Sequence, residues 1–434
     1  MKYPKFHDFQ GLIDEIRLLA QLKCEYGAEG IAPIIKEAEK SLYSAAAKLK
    51  KLPVNKELAM REPNDLESIR SLRPAGHRRK LKTFDKNLYR DRLEGALLGR
   101  MAGCTLGAPV EFWPIEKMQA LADENGDPFP PRDYWSYVPE PKQLRYGISP
   151  REAYTQTKMN GVPVDDDIAY TLLGLLVIEE NGANFKTEDI GLAWLKYLPI
   201  AYTAEDIALR NLKSGLSAAK AAEKNNPYCE WIGASIRADP WGYLAPGCPE
   251  MAAEMAYRDA YISHRRQGIY ASMFFAATIA AAFSVDNPLE ALNIGLCEIP
   301  KSCALAKAVR WALNIAPEIT NYRQARDAVT NHFNGMSMIH AVNNACLTVF
   351  GIGIGGTDLT GVIGEIVAMG MDNDCTAATA GSIVGAVIGK QRIPEHWYRN
   401  FNNTVHSYLT GKPSFEISEL VNRFTGQAEK IMNA

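Results

Sequence analysis

Apolar segments at helical spacing follow one another from residue 93 to residue 388, and alternation of period two is scarce. They recur at 93–106, 169–179, 204–222, 249–261, 270–284, 288–297, 303–315, 322–332, 338–350, 359–368 and 377–388, separated by short loops rich in Pro, Gly and Asp. Such segments bury their apolar stripes by packing helix on helix, so the pattern predicts an all-α globule rather than a parallel-sheet fold. No repeat of fixed period points to a solenoid. Gly95, Gly99, Gly103 and Gly107 stand at steps of four, as do Gly381, Gly385 and Gly389. Glycine weakens a helix, so a face made of it predicts a close backbone approach. The plainer alternative is that some of these glycines end helices or sit in turns.

A chain of 434 residues suits one large domain with an appendage, and 47% hydrophobic content is enough for a sizeable core. A net charge of -2 gives no field to attract nucleic acid or an anionic membrane. Eight cysteines without a Cys-x-x-Cys pair fit a reduced, cytoplasmic chain. The opening residues lack the apolar core of a signal peptide. The greasiest stretch, 271–283, is too short to span a bilayer. Residues 1–86 read as a helical extension and 87–434 as the main domain. The extension has helical segments at 11–25 and 31–52, then breaks at Pro53, Pro63 and Pro74. It is expected to mediate self-association or shape substrate access. His77, Arg78, Arg79, Lys80 and Lys82 form a basic run without interleaved aromatics, read as a solvated linker face rather than a nucleic-acid patch.

Two acidic clusters carry the chemistry. Asp165, Asp166 and Asp167 precede one apolar helical segment, and Asp372 and Asp374 precede another made of small residues. One aspartate at such a place caps a helix. Three in a row crowd charge that a hard divalent cation with oxygen ligands would neutralise. An EF-hand does not fit, because Ala377 and Ile383 fall where Gly and Glu are needed. No His/Cys spacing suits zinc. Glu111 follows the first glycine stripe between apolar residues, where desolvation would raise its pKa and suit it to proton transfer; an ordinary loop glutamate is the bland alternative. The run Gly351, Gly353 and Gly356 formally matches a dinucleotide fingerprint but lacks a βαβ setting and is read as a loop. No serine-nucleophile elbow is present.

In order and spacing these motifs resemble the ADP-ribosylglycohydrolase family. Residues 95–111 follow its glycine-rich opening through to Glu111. Its Thr-Asp-Asp corresponds to Asp165, Asp166 and Asp167, and its Asp-Thr-Asp-Thr to Asp372, Asn373, Asp374 and Cys375. A central motif is echoed at residues 232–240, a Thr-His by Ser263 and His264, and a late Ile-Pro-x-x-Trp by Ile393, Pro394 and Trp397. The resemblance runs from about residue 90 and does not cover residues 1–86.

It implies a compact orthogonal helical bundle and a metal-dependent glycosidase holding two Mg2+ ions, with manganese accepting the same ligands. The implied ligands are Asp165, Asp166, Asp167, Asp372, Asp374 and the Cys375 position, with Glu111 and Asp166 at the reacting centre. The metals would hold ribose hydroxyls while a carboxylate serves an oxocarbenium-like transition state. Trp231, Gly233, Ser235 and His264 are expected to line the substrate cleft; a polar core histidine is the alternative for His264. The implied substrate is an ADP-ribosylated molecule cleaved at an N- or O-ribosyl bond. A small ribosyl metabolite or nucleoside, or a non-enzymatic ADP-ribose-binding role, are the alternatives. Three positions depart from the family: Asp165 stands for threonine, Cys375 for threonine and Cys104 for aspartate. A thiol is a poor ligand for a hard cation.

Overall fold

The computed structural model describes residues 3, 9–76, 78–81 and 83–433. Among them are twenty α-helices, joined by short 3-10 turns, and two antiparallel ribbons of two strands each. The all-α expectation holds. No described helix is long and apolar enough to cross a membrane.

The chain divides into two compact units, Met1–Met60 and Arg61–Ala434. In the first, helices Phe9–Glu25 and Ile31–Lys50 are amphipathic, yet neither buries a residue. Residues 61–76 and 78–81 fall within the second unit and are tied to it by ion pairs. Arg73 bridges Glu250 at 2.8 Å and Glu298 at 2.5 Å, and Arg78 reaches the same Glu298 at 2.5 Å. Arg78 is therefore held in a buried pairing and does not belong to a solvated linker face. His77 and Lys82 of that basic run lie outside the described residues.

The second unit is organised around helix Gln267–Ala282, all of whose residues are buried. Burying one large apolar side chain contributes roughly 1.5–3 kcal/mol, so such a helix has no stable place outside a core. Beside it, helices Lys86–Gly107 and Asn373–Ile388 meet along the two glycine stripes. A Cβ at Gly99 would overlap the Gly381 carbonyl, one at Gly103 the Ala377 carbonyl, and one at Gly385 the Gly95 carbonyl. The close approach expected from the sequence is real.

Two local readings change. The segment 204–222 breaks after helix Thr203–Lys213, at Gly215 with φ 88°, and resumes only as Ala218–Ala221. The glycine run at 351–356 is not a loop: it closes helix Ala341–Gly355, where Gly351 and Gly355 admit Ile366 and Val362 of a neighbouring helix.

Candidate active site

The glycine seam delivers the two acidic clusters to one place. At its end Gly107 presses on Asp374, where a Cβ would come within 2.5 Å of the Asp374 Cα. The turn Ala108–Val110 then sets Glu111 beside the start of helix Asn373–Ile388. Phe112 N–H donates to the Met371 carbonyl at 3.0 Å and ties the two strands of chain together. On the other side, Asp165 caps helix Asp166–Asn181, accepting from the Asp167 N–H at 3.1 Å. Asp372 stands at the cap position of its helix without a side-chain cap bond, leaving its carboxylate for another partner.

Ligand atoms of these residues form three overlapping groups, each with members within 4.8 Å of one another: Cys104, Asp165 and Asp167; Asp167, Asp374 and Cys375; Glu111, Asp372 and Asp374. Arginines enter the cluster from two directions. Arg145 Nη2 lies 3.1 Å from Glu111, 3.1 Å from Asp165 and 3.6 Å from Asp374. Arg100 lies 3.2 Å from Asp167 and 2.7 Å from Asp239. Even so, Asp167 Oδ2, Asp372 Oδ1 and Asp374 Oδ1 are buried with no protein partner. Orphaned carboxylate oxygens are costly unless a cation or proton meets them. This hard, oxygen-rich donor set fits a magnesium-class ion.

The electrostatics agree. Burial first, then the Asp374 charge, raises Glu111 well above the usual carboxylate range, against the pull of Arg145. Burial likewise lifts Asp166, Asp167 and Asp372 well above it, and takes Asp374 to about 6. The Cys104 and Cys375 thiols are pushed up by burial and the neighbouring carboxylates, which keeps them protonated and unlike thiolate metal ligands.

The cluster opens into a cleft of about 400 Å³, whose walls include Glu111, Tyr146, Asp166, Tyr202, Glu205 and Gly233. Phe112, Tyr146, Thr203 and Met371 have φ of 62°, 52°, 45° and 60°, and all four line or adjoin it. Left-handed backbone at bulky residues is strain of the kind that collects at functional sites.

Of the residues expected at the cleft, Gly233 lines it and makes room for Glu205, whose carboxylate a Cβ there would meet. Trp231 sits beside it, pairing in a β-bridge with His340. Ser235 and His264 are fully buried beneath. His264 Nδ1 pairs with Ser263 Oγ at 2.8 Å, and that hydroxyl accepts from Arg237 at 2.9 Å. Arg237 in turn holds Glu205 at 2.6 Å and Asp259 at 2.8 Å. His264 thus supports the cleft floor through Arg237.

Several site residues gave no sequence signal. Arg145 and Tyr146 come from ribbon Leu144–Arg145/Ser149–Pro150 and its turn, inside a stretch without periodicity. Tyr146 O–H donates to Asp166 at 2.7 Å. Arg100, between glycines of the stripe, would pass for a helix-surface residue. The crowding of so many carboxylates is the one sequence feature that calls for buried cations nearby.

A profile of the family described as ADP-ribosylglycohydrolase matches residues 85–430. Among solved structures, the chain is similar to an "ADP-ribosylglycohydrolase-related protein complex", with a TM-score of 0.51 at 20% identity over 79% of this chain and 99% of that one. No curated protein matches the chain. The structural likeness speaks for the fold, and the profile match spans the glycine seam, both acidic clusters and the cleft: the chain belongs to the ADP-ribosylglycohydrolase family.

Proposed function

We propose that the chain is a divalent-metal-dependent glycosidase that cleaves an N- or O-ribosyl bond of an ADP-ribosylated substrate. The observation that carries this reading is the set of unpartnered, buried oxygens on Asp167, Asp372 and Asp374, beside Glu111 at the base of an open cleft. Those aspartates would hold divalent metal, magnesium by preference, and Asp165, Asp166 and Cys375 surround them. When bound, the ion supplies Lewis-acid polarisation and orientation of sugar hydroxyls.

Everything else falls to the side chains. Glu111, with its raised pKa, holds a proton for the departing group and takes one from water afterwards. Asp166, oriented by the Tyr146 hydroxyl, faces the cleft as acceptor for a ribose hydroxyl or the attacking water. Phe112, Tyr146 and Tyr202 provide apolar walls for a ribosyl-nucleotide. Gly233 leaves room for the buried Glu205 carboxylate at the cleft wall, while Trp231, Ser235 and His264 set the loop behind it.

The test is release of ADP-ribose or ribose from ADP-ribosyl-arginine, ADP-ribosyl-serine, O-acetyl-ADP-ribose and simple nucleosides, with magnesium, manganese or chelator. Chelator-sensitive release from one ADP-ribosyl compound supports the reading and names the linkage. Release from a nucleoside alone moves the assignment to a small ribosyl metabolite. ADP-ribose binding without any release makes the chain a non-enzymatic relative. A cytoplasmic location accompanies the reading, since eight free thiols suit a reducing compartment.

We also assign the Met1–Met60 unit to self-association with a second copy of the chain. Phe9, Leu12, Leu18, Leu19 and Leu22 on one helix and Ile34, Leu42 and Leu49 on the other are exposed. The first helix is net acidic and the second net basic, so a two-fold pairing that sets each helix against the other helix of the partner copy brings unlike charges together. Sedimentation of the full chain at increasing concentration should show a dimer; a monomer throughout would refute it.

A further inference from the structure

Arg145 has the environment of a bound cation. Its guanidinium is met by Glu111 Oε2, from both terminal nitrogens, at 3.1 Å, by Asp165 Oδ2 at 3.1 Å and by Asp374 Oδ2 at 3.6 Å. Nη1 also donates to the Ala108 carbonyl at 2.6 Å. The rings of Tyr146 and Tyr154 stand 5.5 and 5.7 Å from its carbon. Its ribbon is anchored behind, where Val164 N–H donates to Ser149 Oγ at 3.0 Å and Arg151 binds the Pro109 carbonyl.

The carboxylate oxygens around it fall into two sets. Arg145 meets one oxygen each on Glu111, Asp165 and Asp374, and Tyr146 meets Asp166 Oδ1. The buried oxygens left without partner are Asp167 Oδ2, Asp372 Oδ1 and Asp374 Oδ1. Asp167 and Asp374 fall in one group of mutually close ligand atoms, and Asp372 and Asp374 in another that needs Glu111. Arg145 holds Glu111 with both terminal nitrogens, which leaves the first group for a single ion completed by water. A second ion between Glu111 and Asp165 would need the space and the ligands that the guanidinium already has, at a distance where like charges repel strongly. The sequence departure at Asp165 fits the same account. Threonine there would give Arg145 no counter-charge, whereas Asp165 and Arg145 form a matched pair.

We propose that Arg145 is a built-in cation that takes the place of one of two metal ions, so that the chain holds one divalent ion, on Asp167 and Asp374. This rests on the metal-dependent reading above. Its test is manganese(II) chloride binding to the full chain by equilibrium dialysis, with electron paramagnetic resonance of the bound ion. The wild-type chain should bind one ion and give the spectrum of an isolated ion. Arg145→Ala should free Glu111 and Asp165 and raise the count to two, with a spin-coupled spectrum; Arg145→Lys, which keeps the charge, should remain at one. Two ions in the wild-type chain, or one in a folded Arg145→Ala, overturn the proposal. If Arg145→Ala does not fold, the wild-type count still decides. No bound ion in the wild-type chain would instead remove the metal-dependent reading itself, and this proposal with it.

Discussion

Glu111 draws its chemistry from a balance between burial, which keeps its proton, and Arg145, which would release it. Glu111→Gln preserves shape and hydrogen bonding but cannot exchange a proton, so kcat should fall about 10²–10⁴-fold with little change in melting temperature. A kcat within a few-fold of wild type would remove Glu111 from the reaction. The aspartates behave differently. Asp372→Asn with Asp374→Asn should abolish metal-dependent turnover, yet raise the melting temperature in chelator, because two buried like charges disappear. A destabilised chelated variant would mean that these carboxylates are structural. His264 gives a pH signature. Burial first, and then Arg237, hold its pKa well below 6.5 in the folded chain, so below that pH the unfolded chain takes a proton that the folded one refuses. Stability is therefore fully present above pH 6.5 and is lost as pH falls, by up to about 1.4 kcal/mol per pH unit. His264→Gln should flatten the urea-unfolding free energy between pH 6.5 and 5; parallel curves for the two proteins would contradict this.

At the scale of elements, the seam between Lys86–Gly107 and Asn373–Ile388 decides whether Glu111 and Asp374 meet at all. Gly99→Ala places a Cβ onto the Gly381 carbonyl, where only backbone movement gives relief. The expected cost is about 1–3 kcal/mol, with activity falling further than stability because the seam ends in the site. Gly426 in helix Ile417–Asn433 is the control: a Cβ there meets nothing within 4 Å, so Gly426→Ala should stabilise by about 0.5–1 kcal/mol. Equal urea midpoints for the two variants would deny the seam its role. The sequence made this seam legible because glycine at steps of four has few other uses in a helix. It made Asp165–Asp167 and Asp372–Asp374 legible because crowded charge before an apolar segment demands a reason. Arg145 was hidden, since its position depends on a two-residue ribbon that no periodicity announces, and on contacts to residues distant in sequence. The break at Gly215 and the helical ending at Gly355 escape the sequence pattern for a related reason. The same glycine serves as a stop where φ is positive and as a contact point where a neighbouring helix leans in, and only packing chooses.

At the scale of the whole molecule, the family match begins at residue 85, while the compact unit that contains it begins at Arg61. The difference includes a strap, residues 61–76 and 78–81, whose hydrogen bonds close off buried groups of the larger unit. Glu298 is 0% exposed and is neutralised by Arg73 and Arg78; Glu62 is similarly buried and pairs with Arg266, and its other oxygen accepts from the Ala304 N–H at 3.0 Å. Tyr257 O–H donates to the Asn64 carbonyl at 3.0 Å, and Arg266 N–H to the Asn64 side chain at 2.7 Å. Removing one partner of a buried ion pair costs about 3–5 kcal/mol, because the other charge is left stranded. Two truncations therefore separate the units. A chain lacking residues 1–60 should keep its melting temperature and its kinetics, and lose only self-association. A chain lacking residues 1–83 should strand Glu298, leave Arg266 with Glu230 alone, and unfold at markedly lower urea concentration. Equal stability of the two truncations would show that the strap is ornamental and return the boundary to residue 86. A shorter deletion that already destabilised the chain would show that the first unit contributes to the fold of the second.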